Sequence, residues 1–217
     1  MYDLSRRKIL GLGAMAPFAG SMLNASDTRA APVDDDAQTA ARERIRERYF
    51  PNVILRTQDN KKVRFYDDLI KGRIVTINFF YAKCEEVCPL ITMNLVKVQK
   101  LLGERVGRDV VMNSITLKAE TDTPAILKEY QEMHRIGPGW NLLTGEPRDV
   151  ELLRRSLGFI NPDPRVDKDV TQHIGNVRYG NEPLMLWAAC PGMAHAEWIA
   201  ESISWVIRPE TKLVKNG

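Results

Sequence analysis

Cysteine is scarce. The chain has three in 217 residues, too few for a disulfide framework. In an exported protein an odd count leaves at least one thiol outside any internal pair, so chemistry explains these residues better than stapling. Charge of one sign is also lacking. The formal net charge is +3, and Arg6, Arg7, Lys8 and Arg29 set against Asp3 and Asp27 supply two of those charges, leaving about +1 for the rest. Such a balance gives no footing for a nucleic-acid partner. The sequence contains no internal repeat and no low-complexity tract. It also lacks a long unbroken apolar run. The stretch from Ile9 to the residue before Asp27 is uncharged but is interrupted by three glycines, Pro17, Ser21 and Asn24, whereas a membrane-spanning helix needs roughly 20 predominantly apolar residues.

That stretch follows the basic cluster Ser5-Arg6-Arg7-Lys8, which is a signal-peptide layout. It resembles a twin-arginine export signal, with Ile9 where that pattern usually carries Phe. Small residues at Ala25 and at Ala30-Ala31 offer cleavage sites. Residues 1–30 are therefore read as a signal peptide or N-terminal anchor that places the protein in the periplasm or cell envelope, with the membrane nearby. Residues 31–49 are read as a linker and polar helix, because Gln38 to Tyr49 alternates Arg and Glu at helical spacing with few apolar residues. Residues 50–217 suffice for one domain with its own core.

Within that domain, Val53-Ile54-Leu55 and Val63-Arg64-Phe65 flank Asp59-Asn60 and predict a hairpin. Arg73 to Tyr81 is a β-branched and aromatic run of the kind expected of a buried central strand. Pro89 to Leu102 reads as a helix with Leu90, Met93, Val96 or Lys97 and Leu101 marking a face. Val110 to Leu117 reads as a strand, and Asp122-Thr123-Pro124 starts a helix to about Arg135. Trp140 to Leu143 is a strand, followed by a helix from Pro147 to Leu157. His173–Tyr179 and Pro183–Trp187 form a hairpin turned at Gly180-Asn181, before a helix from about Ala194 to Val206. Strand–helix alternation closed by a hairpin and a terminal helix indicates an α/β three-layer domain.

Cys84 and Cys88 lie four positions apart where the predicted central strand hands over to a helix. Positions i and i+4 share a helical face, so the two thiols can converge on one soft ion or form a disulfide. The helix N-terminus and Lys83 favour thiolates while Glu85 and Glu86 oppose them, which leaves the direction of any pKa shift open. Two thiolates do not by themselves complete a metal site.

The segment Val75-Thr-Ile-Asn-Phe-Phe-Tyr-Ala-Lys-Cys-Glu-Glu-Val-Cys-Pro89 resembles the Sco/SenC family, whose members carry C-x-x-x-C-P after a hydrophobic strand. The resemblance continues through Asn113 to Pro124, Leu127 to Tyr130 and Leu142 to Gly145, and covers roughly residues 50–207. It implies a thioredoxin-like fold with a central mixed sheet and an inserted hairpin. It also implies a role in maturing the copper centre of cytochrome c oxidase, either by delivering copper or by keeping that centre's cysteines reduced. The transient partner would be the copper-bearing oxidase subunit or another copper chaperone. The family's copper ligands, two motif cysteines and a distant histidine, map by order and context onto Cys84, Cys88 and His173. Two departures bear on local electrostatics: Glu85 stands where the family often has proline, and Lys118-Ala119 where an Asp-Pro pair is common.

Cu(I) accepts two thiolates and an imidazole, and Cu(II) can use the same set with an added oxygen. Structural zinc wants four protein ligands, although a catalytic zinc site would tolerate three. The disulfide cannot ligate, so metal loading and redox state are linked, and Cys84 and Cys88 also form a candidate redox pair. Tyr81 occupies the position, three residues before Cys84, where a peroxidatic cysteine usually has threonine, which argues against a peroxidase. A general thiol–disulfide oxidoreductase or redox sensor of the cell envelope stands as the alternative to a metallochaperone. Cys190, Met193 and His195 make a second, weaker cluster of soft donors, with Cys190 expected to be packed and His195 exposed. His134 ends a predicted helix, where histidine is common without function.

Overall fold

The structure, a computed structural model, describes residues 35–84, 87–169 and 175–207. The leader at residues 1–30, Glu85, Glu86 and His173 lie outside the described residues. The polar helix is α1 (Asp35–Tyr49), which buries no residue. β1 (Ile54–Thr57) and β2 (Lys62–Arg64) form the expected hairpin. Its turn places Asn60 at φ 56, a left-handed conformation that asparagine tolerates.

β3 (Ile74–Phe80) is the central strand and is buried on both faces. It leads into α2 (Val87–Leu102), β4 (Val110–Thr116), α3 (Pro124–Met133) and β5 (Trp140–Gly145). These are followed by α4 (Pro147–Ser156), α5 (Pro164–Asp167), β6 (Asn176–Asn181), β7 (Leu186–Pro191) and α6 (Ala196–Val206). The sheet order is β2-β1-β5-β4-β3-β6-β7. β3, β4 and β5 run parallel, and antiparallel hairpins extend the sheet on both sides. This is the α/β, thioredoxin-like, mixed-sheet architecture that the strand–helix alternation and the resemblance implied.

Period-two alternation divides the core into two layers. Phe80, Met112, Leu142, Val177 and Tyr179 face α2, α3 and α6. Val75, Ile77, Phe79, Ile115 and Leu143 face α4 and the π-helical turn at Phe65–Ile70. Both parallel crossovers, α2 and α3, lie on one face because β3, β4 and β5 advance in one direction and such crossovers are right-handed.

Two local expectations are corrected. In α2 the buried residues are Cys88, Ile91, Thr92, Leu95, Val96, Val98 and Leu102, while Leu90, Met93 and Leu101 are exposed. The helix is apolar nearly all round, so its periodicity fits two phases, and the sheet and α6 select the other one. Gly180-Asn181 does not turn the second hairpin but ends β6, and the reversal occurs at residues 182–185, with Met185 at φ 53. Glycine is required at 180 for packing, since a Cβ there would lie 2.3 Å from the Trp187 ring.

Candidate metal centre

Cys84 and Cys88 sit where β3 delivers the chain to α2. A tight turn closes just before the motif, with the Cys84 N–H donating to the Tyr81 carbonyl at 3.3 Å. The preceding residue pair is held from the other crossover: the Ala82 N–H donates to Asp122 Oδ2 at 2.9 Å, and the Thr116 hydroxyl donates to the same oxygen. Asp122 is 1% exposed. This carboxylate therefore links the loop of the first cysteine to the end of β4. In the sequence Asp122 stands out only as a helix start within the Asn113–Pro124 stretch of the family resemblance.

The structure brings the two thiols together. All three cysteines are present as thiols and buried, and Cys84 and Cys88 hydrogen-bond each other through their side chains. Cys88 lies in the first turn of α2, yet its thiol is pushed up to about 12, first by burial and then by the bond to Cys84. A hydrogen bond with the Tyr81 backbone acts in the opposite direction and is the weaker effect. The shift left open by the sequence is thus decided for Cys88: desolvation outweighs the helix N-terminus. The Tyr130 hydroxyl lies 2.8 Å from Thr92 Oγ1, and burial raises its pKa. Lys118, one of the departures from the family pattern, places its ammonium 4.4 Å from the centroid of the buried Tyr81 ring, which puts a cation beside the motif turn.

The second cluster does not assemble. Cys190 is 2% exposed, with its thiol pushed up by burial to about 11, whereas Met193 is 54% exposed and His195 lies on the surface before α6. His134 caps α3 and rests against Tyr130, ring centroids 4.2 Å apart. Among the described residues no group of three His, Cys, Asp or Glu could hold a metal.

The chain on either side of residues 170–174 is anchored. Before them, Arg154 pairs with Asp167 at 2.7 and 2.8 Å. After them, the Gly192 N–H donates to the Gly175 carbonyl at 2.8 Å. Asn94 of α2 donates to the carbonyls of Gly192 and Ala194 at 2.8 and 2.7 Å. A Cβ on Gly175 would meet Ile91 Cδ1 at 2.8 Å, and one on Gly192 would meet the Gly175 carbonyl oxygen at 2.8 Å and Ile91 Cγ2 at 2.9 Å. Glycine at both positions lets this strand end approach Ile91, which lies about one helical turn beyond Cys88.

The SCO1/SenC family model matches residues 54–204. The chain belongs to this family. Among curated relatives, the SCO1 protein homolog of Bacillus subtilis is 30% identical over 134 residues, covering 52% of this chain and 68% of the relative. A SCO2-like protein of Rickettsia felis is 28% identical over 87 residues, 40% of this chain and 41% of the relative, so the match spans about two fifths of its length. Among solved structures, copper-bound ScoI of Bradyrhizobium japonicum superimposes with a TM-score of 0.58 at 24% identity, over 70% of this chain and 96% of that one. BsSco, described as a member of the Sco family of cytochrome c oxidase assembly proteins with a disulfide switch, gives 0.57 at 22%, over 71% and 90%. The matched range includes the strand-to-helix junction that carries the two thiols. Among the described residues, no helix is long and apolar enough to cross a membrane.

If the close contact at Gly192 positions the strand end, Gly192→Ala should cost about 1–2 kcal/mol in stability and lower Cu(I) affinity by about tenfold by displacing the Gly175 strand end. Gly145→Ala serves as the control. It would also crowd its surroundings, meeting Leu55 Cδ2 at 2.8 Å, but it touches neither Gly175 nor Ile91, so stability should fall while copper affinity holds. Competitive titration against a Cu(I) chelator, beside urea unfolding, distinguishes the two.

Proposed function

We propose that this protein carries copper as cargo on Cys84, Cys88 and His173 and acts as a metallochaperone and thiol–disulfide protein in maturing the copper centre of cytochrome c oxidase. The observation that carries the reading is the pair of buried thiols where β3 hands over to α2, at the family's motif position. Two neighbouring soft donors suit Cu(I) and equally suit a dithiol–disulfide couple. Family membership supports the assembly role, as do the copper-bound state of a relative of the same fold and the disulfide switch of another. His173 is assigned by the family resemblance, and reach supports it: it lies two residues from Gly175, at most about 7 Å of extended chain, and Gly175 packs on Ile91, about one helical turn beyond Cys88. The partner is the copper-bearing oxidase subunit or a second copper chaperone. The twin-arginine-type leader and the family resemblance support a place in the cell envelope, with residues 1–30 acting as signal or anchor.

Native mass spectrometry of the reduced chain should find one Cu(I), and the Cys84–Cys88 disulfide form should bind none. Ligation requires the thiolate, and the Cys88 thiol is held up at about 12. Apparent Cu(I) affinity should therefore rise with pH across the neutral range by at least about tenfold per unit for the proton released. A pH-independent affinity would exclude Cys88 as a ligand.

A further inference from the structure

On the sheet face opposite the cysteines, a cavity of about 350 Å³ opens between α1, the end of α4 and the β6–β7 hairpin. Its walls are largely apolar, formed by Tyr49, Phe50, Ile77, Leu157 and Met185 among others. The Trp187 ring, packed over Gly180 and 4.6 Å from the Phe50 ring centroid, forms one wall, and Arg178 in the same lining lacks a matching acceptor. The Arg178 guanidinium makes one long hydrogen bond, 3.4 Å to the Gly158 carbonyl, and lies 5.4 Å from the Phe159 ring centroid. Among the described residues no carboxylate comes within 4.0 Å of it, and burial lowers its pKa. A partly desolvated cation without an anion is costly.

Arg178 and Trp187 share a face of the hairpin. Arg178 is paired with Ala189 and Trp187 with Gly180, which makes the two side chains diagonal neighbours. A carboxylate matches the planar fork of the guanidinium. The cavity is at the lower end of the ~300–1,000 Å³ typical of ligand pockets, which limits the apolar remainder to an aromatic ring or a medium-length chain. Ile45 and Tyr49 of α1, 43% and 44% exposed, line the opening and would be covered by such a ligand.

We propose that this cavity is a binding site for a small amphiphilic carboxylate, its head on Arg178 and its apolar part against Phe50, Leu157 and the Trp187 ring. The site is separate from the thiols and does not depend on their assignment.

The test titrates the purified chain with octanoate and 4-phenylbutyrate, each beside its uncharged alcohol, by calorimetry. Saturable binding of the carboxylates in the low-millimolar range or tighter is expected, with the alcohols weaker by at least about tenfold. Arg178→Gln should remove that preference by lowering carboxylate affinity about tenfold or more while leaving alcohol affinity within about twofold. Should Arg178→Gln fail to fold, Ile45→Trp, on an exposed position of α1, fills the mouth and should block both carboxylates without changing Cu(I) affinity. Equal binding of acid and alcohol overturns the proposal. So does carboxylate binding that survives both Arg178→Gln and Ile45→Trp, or the absence of saturation.

Discussion

Replacing either Cys84 or Cys88 with serine is expected to abolish tight Cu(I) binding, a loss of at least about a thousandfold, or ~4 kcal/mol. A single thiolate with one imidazole leaves a soft ion under-coordinated. His173→Ala should act differently. Two thiolates still hold Cu(I), so its affinity weakens, whereas Cu(II), which favours nitrogen, should lose its stable complex. The measurement is the thiolate-to-Cu(II) charge-transfer absorption of reduced protein at equal copper, beside a Cu(I) competition titration. If His173→Ala matches the unmodified protein while His195→Ala loses both signals, the distal ligand is not His173.

The second large effect is expected at Asp122. Asp122→Ala removes the acceptor for the Ala82 N–H and the Thr116 hydroxyl in a place closed to water. Hydrogen bonds to a charged group contribute about 1.5–3 kcal/mol, and the stranded donors add a desolvation cost, so a loss of about 3–4 kcal/mol in urea unfolding of the reduced protein is expected. Asp122→Asn retains an acceptor oxygen and should lose roughly half as much. Because Ala82 is two residues from Cys84, both variants should also lower Cu(I) affinity in proportion to the stability lost. An Asp122→Ala protein with unchanged stability would show that this carboxylate does not hold the motif loop.

Much of the site was legible because its elements advertise themselves locally. The run Ile74–Phe80 can only be a buried strand, Thr123-Pro124 carries the chemistry of a helix start, with Thr123 accepting from the Ile126 N–H at 3.4 Å, and the two cysteines fall at the intervening junction. Asp122, Asn94, Gly175 and Gly192 were not legible as parts of the site. Their partners are 40, 98 and 100, and 84 residues away for Asp122 with Ala82, Asn94 with Gly192 and Ala194, and Gly175 with Ile91, and nothing in the neighbouring sequence announces such contacts.

The sequence by itself therefore determined most of the strands and helices, their order, and where the thiols stand, because backbone preference and hydrophobic period are properties of neighbouring residues. It did not determine the turn at Phe65–Ile70, α5 or the span of β7. The tertiary structure alone decided which phase of the apolar α2 is buried, so that Ile91, Leu95 and Val98 face the core and Leu90, Met93 and Leu101 face water. It alone moved the β6–β7 reversal past Gly180, where the Trp187 ring needs the space of a missing side chain. It also set the Cys88 thiol high rather than low. Each of these outcomes depends on what lies against a residue from a distant part of the chain, because burial, dielectric environment and close packing arise only when those parts meet.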